Sequence, residues 1–292
     1  MRHAFLGAGG IGGLIAAALA RAGETCVLLF RPESLAGYSG RVRVESVVLG
    51  DFDVDIPATS TLDRDVDVLW VTVKATHLES ALALAPVERV GDAVVIPLMN
   101  GVDHVALLRD RYSTVVAGAI RVESERLTAT HIRQKSPFLR VELAGAEPVA
   151  AELRRAGIEC RVRDDESSLL WDKLAFLAPV ALATTALDAP YGAVRDDERY
   201  RGCCREVLAI ASAEGAEIDQ AALVSLQEAA PRDTRSSMQK DVAAGREPEL
   251  DAIAGPIVRG GTRHAIPVSS TEELVGLISG RIGGSLDQRS RS

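Results

Sequence analysis

A cluster of glycines near the first residue constrains this chain more than anything else in it. Gly7-Ala8-Gly9-Gly10-Ile11-Gly12 stands between a short apolar run, Ala4-Phe5-Leu6, and an Ala/Leu-rich stretch from Leu14 to Arg21. Gly23 then closes the stretch as a helix C-terminus does, and Thr25 to Phe30 is β-branched and apolar. The order is strand, glycine turn, helix, strand, a βαβ unit of ordinary size. In that setting Gly7-x-Gly9-x-x-Gly12 has a specific physics. The first glycine makes the tight turn, the second lets a pyrophosphate approach the backbone, and the third lets helix and strand pack closely. The amides of Gly9, Gly10, Ile11 and Gly12 then face an anion at the helix N-terminus. A glycine turn with no ligand is the plain alternative.

More strands follow the same logic. Val66 to Val73 is a nearly continuous apolar run, as in a parallel strand buried on both faces, and Asp92 to Leu98 is similar. Val42 to Leu49 alternates, and Val115–Ala117, Leu139–Leu143 and Ile158–Val162 are shorter candidates. Strands alternating with helices imply an α/β sheet wound on both sides. After Arg163-Asp164-Asp165-Glu166-Ser167 the pattern becomes helical, with candidates at 168–187, 198–215, 220–229, 236–244, 249–260 and 270–282. We place the boundary near residue 165, giving a nucleotide-binding domain at 1–165 and a helical domain at 166–292, with a frayed tail at 283–292. A length of 292 residues suits two domains.

The polar residues at the strand ends outline a crevice, since ligands of open α/β sheets bind beyond the carboxyl ends of the strands. Arg31 follows the second strand, where NAD-binding sheets usually carry an acid. A guanidinium there pairs with the 2′-phosphate of NADP, although Glu33 keeps NAD open and a solvated Arg31 is the bland reading. Lys74 ends the run from Val66, and Asn100-Gly101 follows the run from Asp92.

Composition narrows the function classes. Lys and Arg number 33 and Asp and Glu 41, a net charge of −8, which argues against nucleic acid or an anionic membrane surface as partner. The 4 cysteines form neither a disulfide framework nor metal-ligand spacing, so reduced thiols in the cytoplasm are expected. The histidines show no metal-binding pair, and no metal is expected. The N-terminus lacks the basic and small-residue features of a signal peptide. Leu170 to Leu187 is apolar but carries Asp172, Lys173 and Pro179, and reads as a buried helix rather than a membrane span.

On these motifs the chain resembles the ketopantoate reductase (2-dehydropantoate 2-reductase) family. The matching segments are the Gly7–Gly12 turn, Val73-Lys74, Asn100-Gly101, Trp171-Asp172-Lys173-Leu174, Ser236-Ser237-Met238-Gln239-Lys240-Asp241 and Glu249-Leu250-Asp251, in the family's order. The resemblance implies a Rossmann-like domain, then an all-helical domain, with the active site in the cleft between them. It implies hydride transfer from NADPH to a 2-oxo acid, most simply ketopantoate on the way to pantothenate and coenzyme A. Lys173 matches the general acid. Glu249 matches a carboxylate that orients substrate near that lysine and the cofactor ribose. Ser237 matches a ligand of the substrate carboxylate, and Asn100 and Lys74 match residues touching cofactor and substrate. The chemistry agrees: hydride addition builds negative charge on oxygen, which an ammonium stabilises and then protonates. Without the resemblance, Lys173 could equally be a lysine snorkelling from a helix end.

One departure bears on the substrate. Where the family carries asparagines four and eight residues after that lysine, this chain has Leu177 and Ala181. Residues four apart share a helix face, so both would look into the substrate pocket as an apolar wall, with Thr184 and Thr185 as partial substitutes for the lost amides. A reductase of a more apolar 2-oxo acid is therefore one alternative, and a non-catalytic NADP-binding regulator another. A homodimer is left open.

Overall fold

The computed structural model describes residues 1–289. Its chain divides into two units, one of residues 1–99 and 104–166, the other of residues 100–103 and everything from Ser167 onward.

The first unit is built on a five-stranded parallel sheet. Its strands are β1 (Arg2–Leu6), β2 (Thr25–Leu29), β5 (Ala58–Thr59), β6 (Val68–Val71) and β7 (Val94–Pro97), in the spatial order β5–β2–β1–β6–β7. The continuous apolar runs of β1 and β6 have a direct cause. Successive side chains of β1 enter two different cores: Phe5 packs with Trp70 on one face, and Ala4 and Leu6 with Leu69 and Val71 on the other. Phe5 and Trp70 stack with ring centroids 6.0 Å apart. Both faces are covered, as doubly wound sheets require.

The helix Gly10–Arg21 lies on the Phe5 face, and its residues from Gly12 to Leu19 are all buried. A helix buried all round needs cover on both sides. Here β2 lies on one side and a second sheet on the other. That sheet has the order β4–β3–β10–β9, from β3 (Arg41–Ser46), β4 (Phe52–Asp55), β9 (Ser124–Thr128) and β10 (His131–Gln134). A third sheet joins β12 (Glu159–Val162), β11 (Arg140–Leu143) and β8 (Gly118–Arg121). The strand expected at Val115–Ala117 begins instead at Gly118, with Val115 making only an isolated bridge to Val95.

The second unit is helical. Its central helix, Glu166–Leu187, is long and apolar enough to cross a membrane, yet 78% of its apolar window is buried. Trp171, Leu174, Ala178, Ala181 and Leu182 lie in one core with residues of the helices Glu198–Ala213, Leu250–His264 and Ser269–Arg289. It is the core helix of this unit. Side-chain caps fix three helix starts: Asp197 accepts from the Arg199 amide, Asp219 from the Ala222 amide and Ser236 from the Gln239 amide. Of the tail at 283–292, residues 290–292 lie outside the described residues, and the backbone before them ends the last helix.

Candidate functional site

Strand register aligns the carboxyl ends of the parallel sheet. Leu6 of β1 pairs with Leu29 of β2 and with Val71 of β6, and Val71 pairs with Pro97 of β7. The glycine turn, Arg31 and Lys74 therefore leave neighbouring strands within a few residues of one level, at the edge where such sheets bind ligands.

The glycines of the turn divide into two kinds. Gly7 has φ +106°, and a Cβ on it would stand 2.6 Å from the Val73 amide nitrogen. A Cβ on Gly12 would collide with the Gly7 carbonyl and with Thr72 Oγ1. That hydroxyl donates to the same carbonyl at 2.6 Å, locking turn to strand. Gly7 and Gly12 are thus required by the protein's own packing. Gly9 is different. It caps the helix Gly10–Arg21, and a Cβ there would meet nothing within 4 Å. The space beside Gly9 is open, and the amides of the first helical turn have no intrahelical partners. A dinucleotide pyrophosphate fits that cradle in shape and charge.

Arg31 precedes the short helix Pro32–Leu35. Its side chain is exposed and has no hydrogen bond or ion pair among the described residues; Glu33, in the first turn of that helix, is exposed too. Lys74 is half-buried and precedes the 3-10 turn Ala75–His77.

Sequence reasoning missed the hairpin of β9 and β10, which packs on the glycine helix. Ser124 Oγ donates to the Gly10 carbonyl at 2.8 Å, and Arg126 Nη1 donates to the Ala8 carbonyl at 3.4 Å. Its only sequence signal is a weak alternation, Ser124-Glu125-Arg126-Leu127-Thr128 before His131-Ile132-Arg133-Gln134.

Asn100 to Asp103 groups with the helical unit, and its geometry shows how. A Cβ on Gly101 would run into the Ala252 carbonyl, so the turn lies directly against the helix Leu250–His264. Asn100 Nδ2 donates to Glu249 Oε2 at 3.0 Å. Asp103 accepts from Arg259 at 2.6 Å, and Arg259 also holds Asp251 at 2.7 Å. The structure thus joins Asn100 and Glu249, expected from opposite halves of the chain, into one hydrogen-bonded pair.

Lys173 and Ser237 stand on other elements of this unit. Lys173 and Leu177 are half-buried on the central helix, whereas Ala181 has 0% exposure. Ala181 is sealed in the core and cannot form the pocket wall expected of it. Nor do the threonines replace lost amides. Thr184 Oγ1 donates to the Val180 carbonyl at 2.7 Å and is hydrogen-bonded to Ser236 Oγ at 2.8 Å, and Thr185 Oγ1 donates to the Ala181 carbonyl at 2.6 Å. Both hydroxyls serve the helix and its neighbour. The adjacent serines divide likewise: Ser236 is the buried cap, while Ser237 is exposed.

One titratable cluster lies at the far end of β1. His3, Glu24 and Glu152 bring potential ligand atoms within 4.8 Å of one another. Trp70 Nε1 donates to His3 Nδ1 at 3.2 Å, and His3 Nε2 lies 2.9 Å from Glu152 Oε2. The imidazole is therefore neutral with its proton on Nε2, and burial pushes its pKa below the ordinary value. Glu24 is taken up by the α-amino group and Arg155.

Comparison with known proteins covers both units. The family model Ketopantoate reductase PanE/ApbA matches residues 3–145, and Ketopantoate reductase PanE/ApbA C terminal matches 167–281. A 2-dehydropantoate 2-reductase of Mycobacterium tuberculosis is 30% identical over 298 residues, spanning 96% of this chain and 98% of its own. One of Caulobacter vibrioides is 28% identical over 299 residues, spanning 94% and 97%. The crystal structure of a PanE/ApbA family ketopantoate reductase from Ralstonia eutropha JMP134 matches with a TM-score of 0.87 at 28% identity, covering 97% of this chain and 99% of that one. The chain belongs to the ketopantoate reductase PanE/ApbA family, a family of pyridine-nucleotide-dependent oxidoreductases.

Proposed function

We propose that this protein reduces a 2-oxo acid with NADPH, and that the acid is 2-dehydropantoate, yielding pantoate for pantothenate synthesis. The observation that carries the reading is the aligned strand ends, where the open cradle at Gly9 and the guanidinium of Arg31, unpaired among the described residues, leave neighbouring strands. Gly9, Gly10, Ile11 and Gly12 hold the pyrophosphate through backbone amides. Arg31 holds the 2′-phosphate, which selects NADPH over NADH. Lys74 and Asn100 touch cofactor and substrate. When bound, the reduced nicotinamide supplies a hydride. Lys173 stabilises the negative charge that then grows on the substrate oxygen and protonates it. Ser237 takes the substrate carboxylate. Glu249, kept in place by the Asn100 amide, orients the substrate. The free thiols Cys26, Cys160, Cys203 and Cys204 support a reducing, cytoplasmic setting.

A second reading keeps this chemistry and changes the acid. Leu177 is half-buried one turn from Lys173, and the threonine hydroxyls are already bonded within the unit, which favours a more apolar 2-oxo acid. A panel of 2-oxo acids with NADPH and NADH side by side tests both. The first reading expects ketopantoate to lead with NADPH, and Lys173→Ala to abolish turnover while cofactor still binds. A clear lead for an aryl or long-chain 2-oxo acid would replace the first reading with the second. Tight NADPH binding with no turnover on any acid would leave a non-catalytic regulator.

A further inference from the structure

We propose that Arg126 is a second phosphate-binding arginine of the dinucleotide site, directed at the pyrophosphate as Arg31 is at the 2′-phosphate. The inference rests on the NADP reading above.

Its position is built by the edge strand β9. In the register of the hairpin Arg126 lies opposite Ile132, and cross-strand partners project from the same face. Ile132 packs on the glycine helix, where its Cδ1 would block a Cβ on Gly13. Ser124, two residues before Arg126 and so on the same face, donates to the Gly10 carbonyl. Three side chains of the hairpin thus face the turn and the helix it opens, and Arg126 reaches the residue just before Gly9, donating to the Ala8 carbonyl at 3.4 Å. The strand cannot slide away, because the Ser124 backbone fills the space where a Cβ on Gly10 would stand, with the Ser124 carbonyl oxygen 2.6 Å from it.

The charge on Arg126 is available. The bond to Ala8 uses one of five guanidinium donors. The side chain is exposed and has no carboxylate partner among the described residues, while its neighbour Glu125 pairs with Lys135 at 2.6 Å. An unneutralised guanidinium beside an open anion cradle gains more from a diphosphate than from water, because hydrogen bonds between charged partners are the stronger ones.

The pyrophosphate is common to both nicotinamide dinucleotides, and the 2′-phosphate is not. Binding of NADPH and of NADH to the full-length chain without oxo acid, followed by nucleotide fluorescence, therefore separates the two arginines. Arg126→Ala is expected to raise Kd for both nucleotides by the same factor, roughly ten- to a hundredfold. It should also flatten the salt dependence of binding while leaving the melting temperature unchanged. Arg31→Ala is expected to weaken NADPH alone. Wild-type protein that binds either nucleotide, with Arg126→Ala binding as tightly, overturns the assignment of Arg126 and leaves the NADP reading standing. A loss confined to NADPH, or an unchanged salt dependence, overturns it as well. Wild-type protein that binds neither nucleotide overturns the NADP reading, and this inference with it.

Discussion

Substituting Gly9 and Gly12 by alanine should separate the fold's need for glycine from the ligand's. At Gly9 the backbone φ is −85°, open to any residue, and the new methyl meets nothing within 4 Å. Alanine is a poorer helix cap than glycine by about 0.5–1 kcal/mol. It also restricts the unfolded chain, which returns about 0.4–1 kcal/mol. The net change is near zero, and the melting temperature should move by less than about 2 °C. At Gly12 the methyl would overlap the Gly7 carbonyl and Thr72 Oγ1. Neither can retreat, because the first is backbone in a tight turn and the second is bonded to it. Overpacking of this kind costs about 1–3 kcal/mol, or roughly 3–10 °C in a domain of this size. Binding should follow the opposite order. A methyl at Gly9 occupies the space through which the pyrophosphate reaches the amides. Losing one amide–phosphate hydrogen bond, at about 1.5–3 kcal/mol, raises Kd roughly ten- to a hundredfold. Thermal melts with nucleotide-binding titrations on each variant provide the assay. A Gly9→Ala protein that melts and binds like wild type would place the phosphate elsewhere. One that melts as low as Gly12→Ala would mean that the open space is needed for folding instead.

Two stability predictions follow from titratable groups. Burial holds the His3 imidazole below its ordinary pKa of about 6.5, so in acid the unfolded chain binds a proton that the folded chain resists. Its contribution is complete above about pH 6.5 and falls as pH drops towards the folded value, so urea midpoints should decline from pH 7.5 to 5.5 more steeply in wild type than in His3→Gln; equal slopes would count against a neutral His3. Asp197 works on the carboxylate side. The Arg199 side chain, with help from the Arg199 amide, lowers its pKa to about 2. That stabilisation is present above the unfolded pKa of about 3.9 and disappears as pH falls through the folded value. Asp197→Ala should therefore cost about 1 kcal/mol at neutral pH and almost nothing near pH 2, read from denaturant melts at both; an equal cost at both would mean that the cap acts without its charge.

The elements legible in the sequence share one physical trait. β1, β2 and β6 are buried from their second residue on or throughout, so nearly every position had to be apolar and the runs stand out. β9 is an edge strand with one half-buried residue and four exposed ones, and its composition reads as loop. What makes it a strand is its partner β10 and the small-residue helix beneath, neither of which its own residues reveal. The limit recurs wherever two similar residues do different work. Ser236 and Ser237 are adjacent and chemically identical, yet one is a buried cap bonded to Thr184 and the other faces solvent. Leu177 and Ala181 lie on one helix face, yet only Leu177 is open enough to meet a ligand. Asn100 follows a strand of the first unit, yet its amide is bonded to Glu249 in the second. Helical spacing selects a face, but the depth of each residue on that face is set by the elements packed against it, and these come from distant sequence. The Arg126 reading therefore depends on a strand whose placement only the folded chain displays, whereas the glycine turn beneath it could be read from six consecutive residues.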